Sequence, residues 1–372
     1  MRSTGEWIRF CLSASASALG SKRFLNCVWE LTYRCNAHCS MCSYWKTPSD
    51  PEDELGTADV KIGLDKVAEH GCRLVNFTGG EPTLRTDLED IVAHASSLGM
   101  WTSAVTNGSL LTRDRLARLK GAGLDSLFVS LDSIDPHVHD RQRGLPGSHE
   151  RALECLRWLA EDFLVGHRIG GFMTVVSSRN LRTITQLVEL ADHLGVYMLI
   201  QPYHGQKTGS ATHVAPVPVS LAESLLDMRA ASGSMLNSRS YVHALPNRST
   251  GAVPVECYAG RKYFSIDPFG NLHPCVDTPA VGHLLHDELS AVFSDVSLAA
   301  VRCCPGCWYC FRGEADGTLS PGGCLDKVAL GLRVLRRNAR TNVKEGSRSK
   351  SWASRPPARP GREDGPTRLP LS

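Results

Sequence analysis

The chain has 372 residues, of which 42% are apolar and 21% charged, with a formal net charge of +3. Such values belong to ordinary globular proteins, and with no apolar run near 18 residues no membrane span is indicated. From Arg333 onward eleven Lys or Arg stand against three Asp or Glu, which leaves thirty basic and thirty-five acidic residues before it; the body is mildly acidic, the basic tail reads as a solvated extension, and nucleic acid is not an expected partner.

Residues 1–24 read as an N-terminal extension, with a weakly apolar, small-residue stretch at 10–19 that faintly suggests a signal peptide. Between residues 26 and 201, short β-rich runs alternate with longer amphipathic segments. Strands are predicted at 27–32, 74–78, 102–106, 126–131, 168–176 and 197–201, and helices at 59–70, 88–98, 113–122, 150–161 and 181–194. Strands separated by helices form βαβ units in a parallel sheet. The predicted fold class is therefore α/β: a partial (βα)6 parallel barrel over residues 25–205, its active site at the strand C-termini as in the full eightfold barrel. A connecting region, 206–254, holds a helix-like stretch at 221–231. A small α+β cysteine-rich domain follows at 255–332. Residues 333–372 read as the end of a basic helix and a disordered tail, almost without large apolar residues from about 344 onward.

Fourteen cysteines could suggest a disulfide scaffold, but ten fall in two tight groups, 35–42 and 257–324. Clusters of this kind bind metal, whereas disulfide frameworks spread along the chain. Cys11, Cys27, Cys72 and Cys155 are left over and read as small buried side chains. Cys35, Cys39 and Cys42, in Cys-Asn-Ala-His-Cys-Ser-Met-Cys, lie just after the first strand. Three thiolates on a four-iron cubane leave one iron without a protein ligand, free to take a cofactor. The competing reading is a zinc knuckle with His38 as fourth ligand, but zinc sites are usually closed by four well-spaced ligands. An oxygen-sensitive cluster needs a reducing compartment, so a cytoplasmic location is expected.

This triad, with Tyr44-Trp45 just beyond it, resembles the radical S-adenosylmethionine (SAM) superfamily. The resemblance implies a [4Fe-4S] cluster on Cys35, Cys39 and Cys42 whose open iron chelates SAM, an external electron donor such as flavodoxin or ferredoxin, and reductive cleavage of SAM to a 5'-deoxyadenosyl radical. Gly79-Gly80-Glu81, after the second strand, matches the family's Gly-Gly-Glu motif, which binds the methionine amino group; read alone it is a strand-ending turn. Ser130 and Asp132 project from one face at the end of the fourth strand and correspond to contacts with the ribose and methionine, or else to a helix cap or Asx turn. Asn107 and Arg143 recur at similar places in the family. Arg143 would pair with the methionine carboxylate, with a surface salt bridge as the alternative. The family pattern puts 199–201, ending in Gln201, beside the adenine and Tyr44 near the cofactor. Tyr203 and His204 could face substrate, but a core Tyr and a loop His are preferred.

The second cysteine group resembles the SPASM or twitch domains that carry auxiliary clusters. Residues 264–275 read as a β-hairpin turning at 268–271, which brings thiolates together. The full SPASM pattern has Cys-x2-Cys-x5-Cys-x3-Cys, whereas here the spacing is Cys304-x2-Cys307-x2-Cys310-x13-Cys324. At least one auxiliary [4Fe-4S] cluster is expected, on Cys257, Cys275 and two of Cys304, Cys307 and Cys310. Cys307, Cys310 and Cys324 also resemble the three-cysteine auxiliary site of the molybdenum-cofactor GTP cyclases. A structural zinc site is the alternative.

The expected function is a radical SAM enzyme abstracting hydrogen from a small-molecule or natural-product substrate. No side chain is expected to act as acid or base in that step. The barrel's start near residue 25 leaves no N-terminal leader-binding domain, which favours a small molecule. The alternatives are a peptide maturase acting on a ribosomal precursor, an adenosyl transferase like the hopanoid-pathway relatives that Cys-Ser-Tyr-Trp-Lys resembles, and a non-catalytic iron-sulfur scaffold. The scaffold would not need Gly79, Gly80, Glu81, Ser130 and Asp132.

Overall fold

The computed structural model describes residues 24, 26–205, 208–250, 257–293, 298, 301, 307–310 and 321–343. Cys11, Cys303, Cys304, the N-terminal extension to residue 23 and the tail beyond 343 lie outside the described residues, as does the side chain of Cys324.

Six parallel strands follow one another in space as in sequence: β1 (Asn26–Thr32), β2 (Leu74–Gly79), β3 (Trp101–Thr106), β4 (Ser126–Ser130), β5 (Ile169–Val176) and β6 (Tyr197–Pro202). Between them run α1 (Thr57–Glu69), α2 (Leu88–Ser97), α3 (Arg113–Ala122), α4 (Pro136–Arg143), α5 (Ser148–Trp158) and α6 (Ile184–Leu194). Each strand splits its side chains between two faces. On β1, Cys27, Trp29 and Leu31 pack outward into the main core, while Asn26, Val28 and Glu30 line an internal cavity. The outer layer is close-packed: a Cβ on Gly63 of α1 would sit 2.8 Å from the Trp29 ring. Cys27, Cys72 and Cys155 are fully buried, as expected of small core side chains, and burial pushes the thiols of Cys72 and Cys155 up to about 12.

Helix α4 was not foreseen from sequence. Its sequence, Pro-His-Val-His-Asp-Arg-Gln-Arg, lacks an apolar stripe, but its ends carry strong signals. The Asp135 carboxylate accepts hydrogen bonds from His137 N and Val138 N, Pro136 opens the first turn, and Gly144 at φ 56° closes the last. Those ends fix the direction in which Arg143 leaves the helix.

Beyond β6 the chain adds α7 (Val219–Ser232) and α8 (Arg239–Arg248), then β7 (Tyr263–Ile266), β8 (Asn271–His273) and β9 (Gly282–His283). Strand β7 pairs in parallel with the free edge of β1, from Asn26 opposite Tyr263 to Trp29 opposite Ile266. The predicted hairpin is formed by β7 and β8, but it extends the barrel sheet to nine strands rather than standing apart. Helix α9 (Pro321–Val343) then returns to the barrel. Asn338 donates to Gly166 O and Arg168 O at 2.9 and 2.8 Å and accepts from the Tyr197 hydroxyl at 2.8 Å. Both carboxylate oxygens of Asp326 accept from Arg229 Nη2, at 2.9 and 2.8 Å. These contacts bring Lys327, Val328, Gly331 and Val334 to the cavity wall. Among the described residues no helix is long and apolar enough to cross a membrane.

Candidate active site

The inward faces of β1–β6, the loop after β1 and one side of α9 enclose a cavity of about 650 Å³. Cys35, Cys39 and Cys42 all border it. Cys39 is buried and the other two are half-buried. Burial, with Glu81, Cys39 and Cys42 nearby, pushes the Cys35 thiol up to about 12. Trp45 Nε1 donates to Cys39 O at 3.1 Å, and the loop is tied to the next strands through Asn36, which donates to Ser109 Oγ and accepts from Asn107 Nδ2, each at 2.8 Å. His38 is exposed and packs edge-on against Trp45, 4.9 Å between ring centres, away from the role of fourth ligand.

Glycines 79 and 80 let the end of β2 press onto this loop. Gly79 has φ 127°, and a Cβ on Gly80 would lie 2.2 Å from Arg34 O. The space is closed by Gly80 N donating to Thr32 O at 2.7 Å and Glu81 N to Arg34 O at 2.9 Å. Glu81 is buried, and its carboxylate accepts from Thr83 N at 3.0 Å, the Thr83 hydroxyl, Thr106 Oγ1 at 2.7 Å and Asn107 N at 2.7 Å. It borders the cavity, yet its bonds chiefly join the ends of β2 and β3.

Of the other predicted cofactor residues, Tyr44, Asn107, Ser130, Arg143 and Gln201 line the cavity with the glycines. The Tyr44 hydroxyl donates to the Glu30 carboxylate, and its ring stacks on Tyr33 with centres 5.2 Å apart. Asp132 is placed differently, behind the wall. Its Oδ2 accepts from Arg143 Nε at 2.7 Å, its Oδ1 from Val175 N at 2.9 Å, and its own N donates to His139 Nδ1 at 3.1 Å. Tyr203 and His204 are both buried, and His204 Nε2 accepts from Trp308 N at 2.7 Å, the structural role preferred for them.

In the C-terminal part, a cysteine thiol meets a buried phenol. Cys257 Sγ lies 3.0 Å from the Tyr263 hydroxyl. That hydroxyl is held far above its usual range by burial first, then by Cys257, Cys275 and Cys307. Cys310, expected in the same set, is on the cavity wall, where its thiol donates to Ile200 O at 3.3 Å and accepts from Asn237 Nδ2 at 3.4 Å. Among the described residues no three His, Cys, Asp or Glu side chains are closed around a metal position. The donor chemistry of the cysteine loop fits an iron-sulfur centre nonetheless: three thiols on one loop against a glycine cradle.

Residues 29–191 match the family model described as the radical SAM superfamily. The chain is 30% identical to the PqqA peptide cyclase of Bradyrhizobium diazoefficiens over 278 residues, 73% of this chain and 70% of that one. This chain belongs to the radical SAM superfamily. As a radical SAM enzyme it is also 37% identical to an AdoMet-dependent heme synthase of Methanosarcina barkeri over 188 residues, but spans only 52% of that protein's length. Streptococcus suis SuiB bound to S-adenosylmethionine shares the fold, with a TM-score of 0.62 and 17% identity over 76% of this chain and 68% of SuiB. SuiB bound to precursor peptide SuiA aligns at 0.59 and 15% identity, over 80% and 70%.

Sequence reasoning missed Glu30 and His139. Glu30 was legible from alternation along β1, which puts it on the same face as Asn26 and Val28. His139 sits in the unforeseen helix α4.

Proposed function

We propose that this radical SAM enzyme is a peptide maturase that uses SAM and at least one auxiliary cluster. The observation that carries the reading is the likeness to PqqA peptide cyclase, which extends over 73% of the chain. The heme synthase likeness is higher in identity but covers 48% of the chain, so the longer match favours a peptide over the small molecule expected from sequence. The complex of SuiB with SuiA supports a barrel of this shape receiving a peptide.

Cys35, Cys39 and Cys42 would hold the cluster that binds SAM and supplies radical hydrogen-atom abstraction from substrate carbon, and Cys257, Cys275 and Cys307 would hold an auxiliary centre able to accept an electron. The protein's part is orientation and exclusion of water. Gly79 and Gly80 let backbone approach the cofactor, Ser130, Asn107 and Gln201 offer it polar groups, and α9 shuts the barrel side. Glu30 and Tyr44 stand on the same wall. In balance, the substrate would give up two hydrogens in all, one as an atom and one as an electron and a proton, as its new bond closes.

The test is mass spectrometry of a defined synthetic peptide pool incubated anaerobically with reconstituted protein, SAM and dithionite. A peptide two hydrogens lighter, formed in step with 5'-deoxyadenosine, supports the proposal. Deoxyadenosine formation stimulated by tetrapyrroles and not by any peptide would reverse it.

A further inference from the structure

The last turn of α4 lies along the cysteine loop, residue against residue. A Cβ on Gly144 would fall 2.4 Å from His38 O. Next to it, Arg143 borders the same cavity as Cys39, close enough for its positive charge to act on that thiol. Gln142 O accepts from Ser40 N at 3.0 Å, and Gln142 Nε2 donates to Met41 Sδ at 3.1 Å. Residues 142 and 144 thus touch residues 38, 40 and 41, and these contacts bracket Arg143 and Cys39.

Arg143 is not free to choose its position. Its Nε is fixed on Asp132, which is fully buried and is itself held by Val175 N and by the backbone bond to His139. The His139 ring accepts at Nδ1, so its proton is on Nε2. Burial lowers its pKa to about 4, which leaves it neutral beside the ion pair at neutral pH. The Arg143 Nε is spent on Asp132, and Arg143 borders the cavity together with Cys39. A cation beside a ligating sulfur favours the reduced state of an iron-sulfur cluster, and it acts strongly where water is excluded.

We propose that Arg143, positioned by Asp132, sets the reduction potential of the cluster on the cysteine loop through its positive charge beside Cys39. This rests on Cys35, Cys39 and Cys42 holding that cluster. It adds to any contact between Arg143 and the methionine carboxylate, and is separated from it by measuring without SAM.

The experiment is an EPR-monitored redox titration of the full chain, reconstituted anaerobically without SAM, with iron counted in every sample and the signal assigned by its change when SAM is later added. Arg143→Met should hold the wild-type iron content and shift the midpoint to more negative potential, lowering the reduced-to-oxidised ratio at the wild-type midpoint about tenfold, ~59 mV for one electron. Arg143→Lys keeps the charge but lacks the planar guanidinium that Asp132 holds in place, so it should shift less in the same direction. A loaded variant with the wild-type midpoint overturns the proposal. Loss of iron from both variants also overturns it, because Arg143 would then be a scaffold for the loop only. A wild-type chain that takes up no cluster would instead refute the assignment of the cysteine loop itself, before any variant is compared.

Discussion

Replacing Glu81 by Gln tests whether this carboxylate is the joint between the ends of β2 and β3. One oxygen accepts from Thr83 N, the Thr83 hydroxyl and Thr106 Oγ1, the other from Asn107 N at 2.7 Å. Gln can keep the first three bonds through its carbonyl oxygen, but its amide nitrogen then faces the Asn107 N–H, donor against donor. The substitution loses one charge-assisted bond and leaves a buried backbone N–H unpaired, each worth about 1–3 kcal/mol. A loss of about 3 kcal/mol is expected, more than a hundredfold in the folding equilibrium. Guanidinium unfolding of the metal-free chain, followed by circular dichroism, reads the change from the midpoint. Glu150→Gln, at an exposed carboxylate of α5, is the control and should lie within about 0.5 kcal/mol of wild type. If Glu81→Gln falls in the same range as the control, the joint carries no stability and the reasoning is refuted.

His139 gives the metal-free protein an acid-sensitive site. Its folded pKa is lowered from 6.5 to about 4, chiefly by burial, so the unfolded chain binds the proton more readily. The stability from this site is complete above pH 6.5 and is lost as pH falls toward 4, about 3 kcal/mol in all at 1.36 kcal/mol per unit. His139→Gln should flatten that part of the stability-pH curve, and an unchanged slope would count against the buried neutral ring. In the C-terminal part, Cys275→Ala should lower the iron content from about eight to about four per chain, counting four per cubane. Cys310→Ser should leave it unchanged, because that sulfur is engaged by Ile200 O and Asn237; equal losses from both variants would return Cys310 to the ligand set.

The barrel was legible because its signals are local. β-rich runs bounded by Gly and polar turns predicted all six strands to within a residue or two, and the cysteine triad, Gly-Gly-Glu and Ser-x-Asp motifs each lie at a strand end, where the structure brings most of them to one cavity. What was hidden depends on contacts between distant segments. The pairing of β7 with β1 joins residues more than 230 positions apart, and no local pattern encodes that register. Helix α4 is polar on nearly every face, so periodicity missed it even though Asp135-Pro136 and Arg143-Gly144 mark its ends. Spacing grouped Cys310 with Cys307, yet the Cys310 sulfur meets β6 through Ile200 O. Asp132 reads from its motif as a cofactor contact, and only the placement of Arg143 and Val175 reveals where its oxygens are used.

The most direct test of the superfamily assignment at this site is 5'-deoxyadenosine formation by wild type and Cys42→Ala, each reconstituted anaerobically and reduced with dithionite in the presence of SAM. Wild type should release 5'-deoxyadenosine, and Cys42→Ala should release none while retaining the iron held by the C-terminal cysteines. Cleavage of SAM by Cys42→Ala at the wild-type rate would contradict the assignment of Cys35, Cys39 and Cys42 as the ligands of the reactive cluster.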